Sequence, residues 1–351
     1  MSNKNLTNYS PSNDTQHLLQ QAMLFDDDIS EDVAAGIIAT EPLVFTLPRL
    51  DREERLDKAL AQVLSQYSRN KIQAWITQGR VCVNGHIITA IRYAVRGGEH
   101  IELTPTLSDE AMAFVPEPMA LDVVYADPHI IVLNKPIGLV VHPAAGNWSG
   151  TLLNGLLYHY PELAKLPRAG IVHRLDKDTS GLLVIARSLE AQTDLVRQLQ
   201  ARTVKRHYLA IVFGETAEQG TIDAPIGRDP RSRLKMAVTQ SGKLARTHFY
   251  RLATTSFAQL KVSLLRCELE TGRTHQIRVH LASLKHPLLG DMLYGRKLPL
   301  PIPFARQALH AYGLGLQHPI ERVEMRWQIE VAADMVCLAE QLGLPMTLPS
   351  I

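Results

Sequence analysis

Residues 170–187 read GIVHRLDKDTSGLLVIAR. A short apolar run leads into the polar block His173-Arg174-Leu175-Asp176-Lys177-Asp178-Thr179-Ser180-Gly181, and a second run, Leu182 to Ala186, leads out of it. A run of β-prone residues next to turn formers predicts a strand over 181–186. Asp, Thr, Ser and Gly are ordinary turn residues, each for a backbone reason, so a plain polar turn accounts for much of the block. Two features go beyond a turn. The block is dense in functional groups, and Leu175 can anchor it on a core directly beside Asp176. Loops held on a rigid scaffold are where catalytic groups commonly sit.

Outward from this block, further strands are predicted at 130–133, 208–213 and 260–269, and helices at 189–202 and 274–285. Strands and helices do not alternate strictly, which favours an α+β fold with a mainly antiparallel sheet over a doubly wound one. Along 208–213, Tyr208, Ala210 and Val212 share one face and Leu209, Ile211 and Phe213 the other. Tyr208 is then either a core aromatic or a ring against which a base can stack. In T-G-R-T-H-Q-I-R-V-H (271–280), Thr274 is expected to cap a helix whose core stripe is Ile277, Leu281 and Leu284. Arg278 lies off that stripe, beside His275. It is either a surface arginine, the usual fate of the residue, or a guanidinium aimed at a carboxylate.

The amino-terminal part divides differently. Residues 1–41 are polar and acidic and are expected to be a disordered tail. Residues 42–104 read as a small module. A helix is predicted over 55–66 from Leu56, Leu60 and Leu64, and a second from the N-cap Ser68 to Gln78 with Gly79 as its stop. A hairpin turns at Asn84-Gly85. Residues 105–118, with three prolines, read as a linker, 119–344 as the larger body, and 345–351 as a tail.

Net charge is +2, but residues 1–50 carry −5, so the rest of the chain carries +7. A basic body is compatible with a polyanionic partner. Arg69, Lys71, Arg80, Arg92 and Arg96 lie in a stretch, 69–96, without a single Asp or Glu. That stretch is either an ordinary solvated face or a phosphate-binding surface. Cys82, Cys267 and Cys337 are too few and too scattered for a disulfide framework, and reduced cytosolic thiols are the simple reading. No apolar run reaches the ~18 residues that span a bilayer. There is no glycine-rich phosphate loop and no dinucleotide fingerprint.

The blocks H-R-L-D-K-D-T-S-G-L, K-R-x-Y-L-A and E-T-G-R-T-H-Q-I-R-V-H, in that order, resemble the signature blocks of the RluA family of pseudouridine synthases. K-P-I-G-L-V-V-H-P (135–143) and H-P-L-L-G-D-M-L-Y-G (286–295) resemble it too. The segment R-L-D-K-A-L…S-R-x-x-I-x-x-W-I…G-x-V-x-V-N-G is similar to the S4-like RNA-binding module of a ribosomal protein. The likeness spans about residues 45–340. It implies the pseudouridine synthase fold and isomerisation of uridines, in 23S ribosomal RNA or pre-ribosomal particles, with a sibling synthase acting on other ribosomal or transfer RNA sites as the alternative. It implies a cytoplasmic enzyme without a cofactor or metal, and a monomer is the default expectation. It implies Asp176 as the catalytic carboxylate, Tyr208 beside the target base and Arg278 as the partner of Asp176. Arg174, His173, Thr179, Arg273, His275 and Gln276 are then expected to meet substrate. Residues 1–40 and 296–306 depart from the family pattern.

Three other readings use the same residues. A non-catalytic RNA-binding assembly factor fits the composition but gives Asp176, Tyr208 and Arg278 no task. A metal-dependent hydrolase would use His173, Asp176, His275 and His280, which lack a tight ligand spacing. A glycosidase-like hydrolase would use Asp176 and Asp178, two residues apart in one loop, a poor arrangement for flanking a bond.

Overall fold

The computed structural model describes residues 42–105, 113–144, 146–232, 234–295, 302–349 and 351. The expected acidic tail lies outside the described residues, as do residues 106–112 of the expected linker and 296–301 of the departing segment. The described residues form two compact units, one of 42–105 and 113 and a larger one from Phe114 onward.

In the first unit, β1 (Leu43–Thr46) and β2 (Glu54–Arg55) precede helices α1 (Leu56–Val63) and α2 (Arg69–Thr77). Strands β3 (Val81–Val83), β4 (His86–Ile88), β5 (Ala94–Val95) and β6 (His100–Leu103) follow. The main sheet runs β1-β6-β3-β4, and β2 pairs with β5. Leu56, Leu60, Ile72, Trp75 and Ile76 pack against Val81, Val83, Ile101 and Leu103. The Ser68 hydroxyl accepts from the Lys71 amide at 3.4 Å, as its N-cap position predicts. Asn84 and Gly85 both adopt positive φ (50° and 81°), the conformation a tight two-residue hairpin turn needs. Helix α1 stops at Val63, three residues short of the expected end, yet Leu64 remains buried.

The second unit is built on one large sheet. Its strands are β7 (Val123–Ala126), β8 (Ile130–Lys135), β9 (Ser180–Ala186), β10 (Lys205–Phe213) and β11 (Gln219–Asp223). A small hairpin, β12 (Ile226–Arg228) with β13 (Met236–Val238), stands apart from it. Then come β14 (Arg246–Phe257), β15 (Leu260–Leu269), β16 (Leu309–Gln317) and β17 (Glu324–Gln328). The order is β11-β14-β15-β10-β16-β9-β8-β7, with β17 also on β16. Among the described residues every pairing in this sheet is antiparallel except that of β16 with β9, so the fold is α+β with a mixed, mainly antiparallel sheet. The helices are α3 (Leu152–His159), α4 (Leu189–Gln200), α5 (Gln276–Ser283) and α6 (Ala333–Leu342).

Period-two alternation assigns the faces. Tyr208, Ala210, Val212, Leu183 and Ile185 look toward α3 and toward Ile277 and Leu281 of α5. On the other face, Leu209 and Ile211 meet Met335 and Leu338 of α6, and Val184 meets Ala191 and Leu195 of α4. No helix among the described residues is long and apolar enough to cross a membrane. The end of the expected linker packs on this unit, with the Val115 carbonyl accepting from the Asn154 amide group at 2.8 Å. The expected carboxy-terminal tail likewise rests on the core through Met346, Leu348 and Ile351.

The two-residue parallel contact of β9 with β16 sets the end of the polar loop. Gly181 has φ +116°, and a Cβ there would meet the Ala311 carbonyl oxygen at 2.2 Å. Only glycine allows the strand carrying the loop to approach this closely.

Candidate active site

The loop 173–179 enters β9 with Leu175 buried at 4% exposure, the anchor its apolar character implies. The Asp176 carbonyl accepts from the Thr179 amide at 3.0 Å, closing a turn that leaves the Asp176 side chain partly open. Arg278 on α5 donates from Nη1 to Asp176 Oδ2 at 2.9 Å, across 102 residues of sequence. Its other edge is bidentate to Asp291, Nε at 2.7 Å and Nη2 at 3.0 Å. The Asp291 side chain is fully buried and also accepts from the Leu293 and Tyr294 amides. The Tyr294 ring lies 5.1 Å from the guanidinium carbon. Burial opposes the Arg278 charge, but Asp291 and Asp176 outweigh it and raise its pKa. The guanidinium is therefore a permanent cation, held rigidly on one carboxylate and presented to a second.

Arg278 is 7% exposed, so it is not a surface residue, and α5 is buried through Gln276–Leu281. Thr274 does not cap this helix. His275 occupies the cap position in a left-handed conformation (φ 56°), which turns its ring onto the Tyr294 hydroxyl at 2.8 Å. The Gln276 side chain does the bracing instead. Its oxygen accepts from Thr271 Oγ1 and the Arg273 amide, and its nitrogen donates to the Arg246 carbonyl and Thr247 Oγ1. Leu284 is not on a core stripe either. It follows the last helical residue and is 44% exposed.

Tyr208 lies on β10, 5% exposed. Burial pushes its phenol up to about 12, with the Asp176 charge adding to the rise and the Arg206 charge opposing it. At neutral pH the hydroxyl is protonated, a hydrogen-bond donor rather than a base. The Asp176 charge is felt at His275 as well, and that of Arg174 at both His275 and His142. The fold thus joins Asp176 to Arg278, and Arg278 to Asp291 and the Tyr294 ring on which His275 rests.

Three residues expected to meet substrate make hydrogen bonds within the scaffold. His173 Nε2 accepts from the Val184 amide at 3.1 Å, and burial lowers its pKa to about 3, so the ring is neutral. Thr179 is buried and accepts from Gln307 at 3.0 Å. Gln276 has its hydrogen-bonding positions filled as described. Arg273 is half-buried at the rim, with Nε on the Leu244 carbonyl at 3.2 Å. His280 bridges Thr247 Oγ1 and the Ala224 carbonyl, each at 2.9 Å. Among the described residues no cluster of His, Cys, Asp and Glu is placed to hold a metal ion.

A family model described as RNA pseudouridylate synthase matches residues 129–283, and an S4 domain model matches 54–101. A protein of Nitrosomonas europaea named ribosomal large subunit pseudouridine synthase D is 51% identical over 294 residues, 82% of this chain and 84% of that one. The chain belongs to the RNA pseudouridylate synthase family. A protein of the same name from Neisseria meningitidis is 48% identical to this synthase over 336 residues, 93% of this chain and 88% of that one. The solved structure of human RNA pseudouridylate synthase domain containing 4 shares the fold. It has a TM-score of 0.50 at 24% identity, over 64% of this chain and 94% of that one.

Three residues of the synthase site had no role assigned from sequence. Asp291 and Tyr294 stand in the P-L-L-G-D-M-L-Y-G block, where Gly-Asp reads as a turn. Lys135 ends β8, 1% exposed, with its ammonium donating to the carbonyls of Pro136, Leu139 and Lys177 at 2.8, 3.0 and 2.9 Å. Burial lowers its pKa to about 8, against the pull of Asp176 and Asp178.

In the S4 unit, Arg69 is ion-paired with the buried Asp57 at 2.8 Å and Arg96 with Glu53 at 2.8 Å. Lys71 lies over the rings of Tyr67 and Trp75, while Arg80 and Arg92 are exposed. Beyond that unit, Arg228 and Arg231 of the β12–β13 hairpin are also exposed. The Met236 amide joins this hairpin to Tyr294 at 2.8 Å.

Proposed function

We propose that this synthase converts uridines of large-subunit ribosomal RNA to pseudouridine, as a cytoplasmic monomer, with Asp176 as its catalytic carboxylate. The observation that carries the reading is the Asp176–Arg278 ion pair, backed by the buried Asp291, on a loop anchored by Leu175. The reaction cleaves the N1–C1′ bond, turns the base and rejoins it through C5. It is an isomerisation, so it consumes no redox or energy carrier.

The target base must leave its stack, at a cost of a few kcal/mol. Phosphate contacts from Arg80, Arg92, Arg228 and Arg231 would offset that cost without reading sequence. Tyr208 exposes little of its ring, which suits a floor beneath the base better than a full stacking face. Asp176 acts at the ribose, attacking C1′ or taking the C2′ proton, and both routes begin from a carboxylate beside the sugar. Arg278 holds that carboxylate in place in a site where burial disfavours charge. Removal of the C5 proton then falls to a group other than the protonated Tyr208 phenol.

The test is to map pseudouridines in 23S ribosomal RNA from cells with the protein, without it, and with Asp176→Asn in its place. Specific positions are expected to lose the modification in the second and third cases. An unchanged map in the absence of the protein would overturn the substrate assignment.

A further inference from the structure

Each of the four residues that follow Asp176 is held by a buried side chain from elsewhere in the fold. Lys135 Nζ donates to the Lys177 carbonyl at 2.9 Å, and Arg306 Nη1 to the Asp178 carbonyl at 3.2 Å. Gln307 Nε2 donates to Thr179 Oγ1 at 3.0 Å, and the Ser180 hydroxyl pairs with His310 Nδ1 at 2.9 Å. His310 Nε2 faces the Glu330 carbonyl at 3.0 Å, so Nε2 carries the proton and Nδ1 accepts from Ser180. Three of these four groups come from one short segment, R-Q-A-L-H, at the start of β16. Arg306, Gln307 and His310 are 7%, 5% and 1% exposed. Arg306 is itself fixed by a bidentate pair with Asp334 at the start of α6, at 2.6 and 2.7 Å.

We propose that the segment 306–310 braces the catalytic loop, with Arg306, Gln307 and His310 as positioning residues for Asp176 and Asp334 as the anchor of Arg306. The inference rests on Asp176 being the catalytic carboxylate. The physical reason is geometric. A carboxylate that must meet one ribose carbon loses rate steeply when displaced, about a hundredfold for ~1 Å. The loop backbone has no ladder of its own until β9 begins at Ser180, so beyond the Leu175 anchor and the Asp176–Thr179 turn its position depends on these side-chain hydrogen bonds. Lys135, Arg306, Gln307 and His310 are all too buried to bind RNA, so their effect must pass through the loop.

The test uses the full-length protein and a 23S ribosomal RNA transcript tritiated at uridine C5, under single-turnover conditions, with RNA affinity measured separately. Gln307→Leu removes the donor at nearly constant volume, and Thr179→Val removes the acceptor. Each is expected to slow tritium release roughly tenfold, with the RNA dissociation constant within about twofold. The double variant is expected to be no slower than the slower single one, because both remove the same bond. Thr179→Ser, which keeps the hydroxyl, is expected to restore the wild-type rate. Asp334→Asn tests the anchor from the less buried side and is expected to lower the rate while leaving affinity unchanged. A folded Gln307→Leu protein with the wild-type rate would overturn the proposal. So would a loss confined to Thr179→Val, which would make Thr179 a substrate contact. A rate that merely tracks the folded fraction would overturn it too. If Asp176→Asn turned over in the same assay, the catalytic reading itself would fail, a result distinct from these.

Discussion

Arg278 engages both edges of its guanidinium, one on Asp291 and one on Asp176. A lysine keeps the charge but is a point donor on a flexible stem and cannot span two carboxylates in a fixed plane. Arg278→Lys should therefore lower single-turnover tritium release by about a hundredfold, with RNA binding retained; a rate within a factor of a few of wild type would show that the fork is dispensable. At this scale the sequence was informative where chemistry is spelled by residue type. An Asp amid apolar anchors and an Arg off the core stripe were both visible as candidates. The second acceptor, Asp291, was not, because Gly-Asp in a loop also reads as a turn. Nor was the internal use of His173, Thr179 and Gln276, since burial and partner choice depend on strands that meet only in the folded chain.

The loop between Ile171 and β9 behaves as one element gripped by its neighbours, and Lys135 is the grip with a titratable proton. Its ammonium offers three donors to three carbonyls, whereas the neutral amine offers two. With its pKa lowered to about 8, the folded protein releases this proton before the unfolded chain does. Between about pH 8 and the unfolded value near 10.4 the unfolded state binds more protons, so this group favours folding as pH rises through that window. The same deprotonation strips one carbonyl of its donor. The single-turnover rate should thus decline from pH 7 to 9 with an apparent pKa near 8, while global stability does not fall with it. A flat rate over that range would separate Lys135 from catalysis. The elements themselves were largely legible, because the apolar, β-prone run at 208–213 and the i, i+4 leucines of α1 are local signals. The start of α5 was not. Thr274 has the right chemistry for a cap, but His275 takes a left-handed conformation and Gln276 supplies the side-chain bonds, a choice made by β14 and Tyr294.

For the whole molecule, charge and modularity were readable early, through the acid-free stretch 69–96 and the composition shift after it. What composition does not separate is a basic residue already paired from one available to RNA. Arg69 and Arg96 are engaged by Asp57 and Glu53, whereas Arg80 and Arg92 stand exposed. Removing Arg80 and Arg92 together should weaken RNA binding and reduce the slope of log affinity against log salt by about one for each phosphate that is no longer neutralised. An unchanged slope would show that these two side chains do not meet the backbone. The larger unit carries the proposed chemistry, which turns on one side chain. Asp176→Asn keeps the shape of the loop and the acceptor toward Arg278 but removes the carboxylate. The most direct measurement is tritium release from C5-labelled 23S ribosomal RNA by this variant at saturating enzyme, alongside its RNA affinity. No release with near-normal binding is expected, and sustained release would show that Asp176 is not the catalytic carboxylate.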